Sequence, residues 1–333
     1  MTQQKKISTP RRSSRKGFGL QQIVILAVLI VLFVFFYCMS KSFRKYTTIV
    51  QICSYMYYIM LMSIGVTFPL ITGGVDLSIG TGLICYSVIG SYLIRINGWS
   101  TGWAIVLVLA MGVFVGFING TIVSRLDLPP FITTLCTMMI CRGLGSILTN
   151  SFCGTWPTVN QPGGWVRNLV KYVSPDKTIY PVGMIWIILL VIIMTVVLDH
   201  TRVGRYIIGI GSNKEALKLS GVNVVKWQTI AYMISGFFAA LAAIAYAATF
   251  STITPGTGAG FELDAIGSAI IGGTAMTGGS GTIVGTFLGV LIISVLKTGL
   301  PFIGLQANWQ QLITGVILIA AVTMDVVRNS KRA

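Results

Sequence analysis

Eight carboxylates are spread through 333 residues, and three of them stand where charge is costly. Asp76 lies in "TGGVDLSIGTGL", residues 72–83, between two long apolar runs. Glu262 and Asp264 open another run after "ITPGTGAG". A carboxylate set into an apolar run can bond solute hydroxyls, counter a cation or carry a proton. It can also serve structure. Asp76 precedes "LSIG" and is placed to cap the amides of Ser78 or Ile79, at a chain break that Gly73 and Gly74 permit. Glu262 and Asp264 suit the first turn of a helix, where the dipole favours negative charge. Both readings stand at this point. Asp76, Ser78, Phe131, Thr133, Glu262 and Asp264 are the candidates for a translocation path.

Covalent chemistry finds no foothold. His200 is the single histidine, at the end of an apolar run. The six cysteines form no CxxC pair and most lie inside apolar runs, which suits small packing residues better than a disulfide frame or metal site. No nucleophile, base or ligand cluster occurs, so no catalytic residue, metal or cofactor is expected. No G-x-x-x-x-G-K-[ST] occurs, so ATP phosphates have no cradle in this chain. Asp127, Asp176, Asp199, Glu215 and Asp325 read as loop or interface residues. Arg142 sits inside an apolar run and is expected to pair with Asp127 or to snorkel. Aromatics such as Phe131, Phe250, Phe261, Trp309 and Tyr86 suit either stacking on a flat ligand face or the membrane interface.

The elements that hold these residues are membrane helices. The chain is 54% hydrophobic and 10% charged, against roughly a quarter charged in soluble domains. Apolar runs predict an all-α polytopic protein of about ten transmembrane helices, near 18–39, 47–70, 77–96, 102–124, 131–149, 181–199, 227–249, 263–277, 281–299 and 308–327. The first, Leu20 to Met39, lacks a cleavage site and reads as a retained span. The net charge of +16 is juxtamembrane rather than nucleic-acid-binding. It gathers in "KKISTPRRSSRK", in the 200–226 loop and in "RNSKRA". With both termini cytoplasmic, about fifteen Lys and Arg fall inside and about eight outside, as the positive-inside rule requires; Lys41, Arg44 and Lys45 run against it. The division is a basic tail 1–17, a transmembrane domain 18–327, a cytoplasmic loop 200–226 and a tail 328–333. The longest external loop is 150–180. "TGGVDLSIGTGL" also aligns with "TGGSGTIVGTFL" at 277–288, an internal repeat of the kind that brackets transport paths.

The loop "RVGRYIIGIGSNKEALKLSGVNVVKWQ" predicts a short helix capped by Asn213, with Glu215 in its first turn and Gly221 ending it. Its E-A-x4-G pattern resembles the docking loop of bacterial importer permeases. "GGVDLSIG", "LPPFITTLCTM", "VGRYIIGIGSNKEALKLSGVNV", "FELDAIGSAIIGGTAMTGGSGTIVGTFLG" and "GLPFIGLQANWQQLITGVILIAAV" follow in the order found in ribose/galactose-type sugar permeases of ABC importers. The resemblance covers roughly 45–327. It implies the ABC importer permease fold and a permease subunit in the bacterial cytoplasmic membrane. It also implies a separate ATPase docking on Glu215, Ala216, Ser220 and Gly221, an extracytoplasmic sugar-binding protein and a second permease subunit, identical or paralogous. Autoinducer-2, a nucleoside or a branched-chain amino acid is the alternative solute. An ion-coupled carrier would need deep carboxylates or histidines, which are scarce here.

Overall fold

The computed structural model describes residues 20–330; the expected basic tail 1–17 and residues 331–333 lie outside them. The chain is helical almost throughout. The helices are α1 (Leu20–Met39), α2 (Tyr46–Ile71), α3 (Ser78–Arg95), α4 (Thr101–Arg125), α5 (Pro130–Leu148), α6 (Trp165–Asn168), α7 (Gly183–His200), α8 (Arg202–Leu219), α9 (Val224–Thr249), α10 (Phe261–Ile271), α11 (Ile283–Phe302) and α12 (Ala307–Ser330). Two short antiparallel strands, β1 (Tyr172–Val173) and β2 (Ile179–Tyr180), join Tyr172 to Tyr180.

Seven of these helices, α1, α2, α4, α5, α7, α9 and α11, are long and apolar enough to cross a membrane. The expectation was about ten. The other three expected spans coincide with α3, α12 and α10. The last was expected over 263–277 but has 11 residues, about 16 Å at the helical rise and half the apolar thickness of a bilayer. The 200–226 stretch also departs from expectation. It is not a loop carrying one short helix: α8 is helical from Arg202, with a break at Asn213 (φ −162°, ψ 96°).

Burial sorts the helices into a centre and a shell. The apolar stretch of α2 is 83% buried and that of α11 78%, whereas α1, α5 and α7 bury 11–22%. A chain whose outer helices show apolar side chains to their surroundings is built for lipid. Inside, backbones approach closely. Gly112, Gly116 and Gly120 line one face of α4 and lie against the backbone of α9 at Gly236, Tyr232 and Thr229. This is the small-residue packing that van der Waals contact between membrane helices needs.

Loops gather at two ends. At one lie residues 71–74, 125–130, 200–224 and 277–282: Lys214 pairs with Asp127 at 3.1 Å, and the Gly279 amide donates to the Ile71 carbonyl at 2.8 Å. Asp127 is thus taken by Lys214, not by Arg142, whose guanidinium lies beside Gly256. At the other end, Gly154 bridges Ile253, the Tyr46 hydroxyl donates to the Ile179 carbonyl and the Trp156 indole donates to the Ser87 carbonyl at 3.0 Å. Arg167 there donates to the carbonyls of Pro157 and Trp156. Burial, with Arg95 nearby, lowers its pKa from the usual guanidinium range.

Candidate functional site

The six path candidates fall into three environments. The first is the break after α2. Thr72 to Leu77 leave the helix, Gly73 takes φ +81°, and α3 begins at Ser78. Asp76 is fully buried. Its Oδ1 accepts from the Ser78 amide at 3.0 Å and from the Ser78 hydroxyl at 2.6 Å; its Oδ2 accepts from the Ser235 hydroxyl at 2.7 Å. The network continues outward. Asn119 donates from Nδ2 to the Ser78 oxygen at 3.0 Å, and Thr137 donates to Asn119 Oδ1 at 2.6 Å. Every donor in this row points toward one carboxylate, which is how a buried charge is made tolerable. Thr134 donates to the Val75 carbonyl at 3.1 Å, so the first turn of α5 is tied to the break.

The second environment is the start of α10. Glu262 is 6% exposed. Its Oε1 accepts from the Gly260 amide at 2.9 Å, while its Oε2 has no hydrogen-bond partner and lies against Gly80, in the first turn of α3. The starts of the two interrupted helices therefore meet, with Asp76 holding the first amide of one and Glu262 between them. Asp264, one helical step away, pairs with Lys297 of α11, which also stands 5.5 Å from the Phe261 ring centroid. Asp264 is thus neutralised inside the protein. Phe250 and Phe261 pack with Tyr58 and Tyr246, and Tyr86 is buried at 2% exposure.

The third environment is α5. Thr133 is buried and its hydroxyl has no partner. Phe131 is 57% exposed and contributes nothing to the other two groups. Asn119, Thr137, Ser235 and Lys297 are the functional neighbours that sequence reading missed. A polar residue inside an apolar run is itself a signal, but nothing in the sequence says which partner it meets.

The docking candidates form a separate group. Asn213 breaks α8, and its Oδ1 accepts from the Ala216 amide at 2.8 Å. That is an N-cap in the expected place. Glu215, Ala216, Lys218, Leu219 and Ser220 are exposed, Leu219 to 89%. Gly221, at φ +84°, follows the last turn as a C′ glycine does. Beside this segment opens a cleft of about 1300 Å³ rimmed by Arg125, Asp127, Lys214, Lys218 and Lys226.

The profile of the family described as "Branched-chain amino acid transport system / permease component" matches residues 48–322. The chain belongs to this permease family. It is 33% identical to "Ribose import permease protein RbsC" of Escherichia coli (strain K12), over 95% of this chain and 96% of that one. It is 32% identical to "Fructose import permease protein FruG" of Bifidobacterium longum (strain NCC 2705), over 94% of each. With "Galactose/methyl galactoside import permease protein MglC" of Escherichia coli (strain K12) it shares 30% identity, over 93% of this chain and 94% of the relative. No solved structure matches. The matched segment takes in both chain breaks, α8 and α10.

Proposed function

We propose that this permease is the membrane subunit of an ATP-driven importer, carrying a monosaccharide such as ribose, galactose or fructose across the cytoplasmic membrane. The observation that carries the reading is the exposed segment 213–221. It is a short capped helix, held off the bundle by the break at Asn213, showing Leu219 almost fully to its surroundings. Such a helix cannot persist on its own propensity and has the form of a docking element. The named relatives are sugar import permeases at about one residue in three over nearly the whole chain. They favour a sugar over autoinducer-2, a nucleoside or a branched-chain amino acid.

In this reading a separate ATPase seats on Glu215, Ala216, Ser220 and Gly221, beside the basic cleft. A sugar-binding protein delivers the solute at the opposite end, and a second permease subunit completes the pore. The permease makes and breaks no covalent bond. Its task is to offer hydrogen bonds to hydroxyls in one state and withdraw them in another. Glu262, with one oxygen unpartnered against the start of α3, is the group best suited to meet a hydroxyl when α3 and α10 part. Thr133 offers a second free hydroxyl. Asp76 and Ser78 hold the break shut from within, and Lys297 holds Asp264.

The test is reconstitution. Purified permease in proteoliposomes, with its ATPase and binding protein, should take up labelled ribose, galactose or fructose only when ATP is present. Gly221→Asp should leave the permease inserted and abolish that uptake. Uptake driven by an ion gradient, with no ATPase present, would sink the reading.

A further inference from the structure

The two copies of the T-G-G motif touch each other, and α8 rests on the contact. Thr72-Gly73-Gly74 follows α2, and α3 begins six residues after Thr72. Thr277-Gly278-Gly279 follows α10, and α11 begins six residues after Thr277. In each copy a side chain just ahead of the new helix caps it: Asp76 accepts from the Ser78 amide, and Thr282 accepts from the Gly285 amide at 3.1 Å. The two turns are joined by the bond from the Gly279 amide to the Ile71 carbonyl. Gly278, at φ +87°, has the Gly73 amide at 2.9 Å and the Gly211 Cα at 3.1 Å from where a side chain would start, closer than ordinary van der Waals contact.

Gly211 lies in the last turn of α8 before the Asn213 break. A methyl on Gly211 would overlap both the Ile71 carbonyl and the Gly279 amide, the two groups of the joining bond. Ser212 lies against Gly279 with its hydroxyl and its backbone, while at Gly211 the contact is backbone alone. Backbone therefore rests on backbone, with no flexible side chain between to absorb a shift. Two residues further on is the capped segment 213–221. Among the described residues, this is where the segment's parent helix meets the connectors of both interrupted helices at one point.

We infer that Gly211 is the positioning residue through which movement of segment 213–221 reaches both chain breaks at once, opening the α3–α10 junction. The inference rests on the ATP-driven permease reading. The mechanism is steric. Displacing α8 at Gly211 pulls on the bond between Ile71 and Gly279, and with it on the stretches that lead to Asp76 and to Thr282. Packed backbone contacts of this kind switch between arrangements rather than deform smoothly.

The test uses the whole importer. Hydrogen–deuterium exchange is measured on the wild-type complex, without nucleotide and with ATP trapped on an ATPase variant that binds but does not hydrolyse. Peptides covering 71–74 and 277–281 should exchange at least tenfold faster in the trapped state, together with 209–216. Unchanged exchange at either connector overturns the inference. Gly211→Ala should keep the ATPase bound and hydrolysing at its basal rate while uptake of the transported sugar falls at least tenfold. Gly102→Ala, where the methyl meets open space, should stay within twofold of wild type. Gly211→Ala uptake within twofold of wild type would also overturn it. If Gly211→Ala fails to assemble, the exchange measurement on wild type decides alone. Sugar uptake by wild-type permease without any ATPase defeats the functional reading itself, and is told apart because it appears before any variant is made.

Discussion

At the scale of single residues, Asp76 shows how a buried charge is held in an apolar chain. Three donors reach its two oxygens, and two more residues orient one of those donors. An amide at this position keeps one oxygen for Ser78 and turns its nitrogen toward Ser235, whose hydroxyl can accept as well as donate. Asp76→Asn should therefore insert, assemble and transport within about threefold of wild type, a loss on the scale of one net hydrogen bond. Asp76→Ala strands the Ser78 and Ser235 donors in a dry interior, at about 1–3 kcal/mol for each orphan. It should be lost from the membrane fraction or melt markedly lower. Thermal melting of the detergent-solubilised protein and sugar uptake measure both. An Asp76→Asn protein that assembles normally yet does not transport would give the carboxylate's charge a role on the path. The cap itself was legible in the sequence, because capping is local chemistry between Asp76 and Ser78. Its partners were not, since Asn119 and Ser235 lie 41 and 159 residues from the groups they bond. Lys297 escaped notice for the same reason. Spacing along one helix says nothing of a carboxylate on another.

At the scale of elements, local chemistry and long-range packing divide the outcome in the same way. The first span is legible because Ile23 to Met39 is a continuous apolar run. The Asn213 cap is legible because N-caps act three residues ahead. The length of α10 was not, because its apolar run continues past Ile271, where Gly272 and Gly273 end the helix against the backbone of α11. Two elements carry predictions. Asn213→Ala should lose about 1 kcal/mol of helix stability and weaken ATPase association about three- to tenfold, read as the ATPase concentration for half-maximal binding. Asn213→Asp keeps the cap and should bind like wild type. Equal binding by all three would mean that the short helix is not what the ATPase recognises. The tie between α10 and α11 is the Asp264–Lys297 pair, 6% and 13% exposed at the side chains. Removing one member of such a pair leaves the other charged and buried, at about 3–5 kcal/mol. Lys297→Met should lower the melting temperature clearly, and adding Asp264→Asn should recover much of the loss. A double variant no better than the single would show that the pair's charge is not the source of the effect.

At the scale of the whole molecule, the two ends of the bundle differ in what their cations do. At the end that carries α8, Arg202, Lys214, Lys218 and Arg125 ring an open cleft or stand exposed, and Lys214 alone meets a carboxylate there, Asp127. At the opposite end, three arginines donate to backbone carbonyls. Arg44 donates to the Tyr37 carbonyl and stacks 5.0 Å from its ring centroid, Arg95 donates to the Thr155 carbonyl, and Arg167 meets those of Pro157 and Trp156. Lys41, Lys45 and Lys177 at that end stay exposed, as Arg202 and Lys218 do at the other. An excess of Lys and Arg close to span ends marks the cytoplasmic side, and anionic headgroups there attract it further. The orientation we propose sets the α8 end in the cytoplasm, where an ATPase can reach segment 213–221. It sets the 150–182 stretch with its β1–β2 hairpin outside, where a binding protein can. The test is single-cysteine labelling in intact cells, on a background in which the six native cysteines are replaced. Lys218→Cys should react with a membrane-impermeant maleimide only after the membrane is opened. Asn160→Cys, exposed at the opposite end, should react at once. Labelling of residue 218 in sealed cells would invert the orientation and remove ATPase docking on α8 with it, because a nucleotide-driven subunit acting from the cytoplasm could not touch that helix.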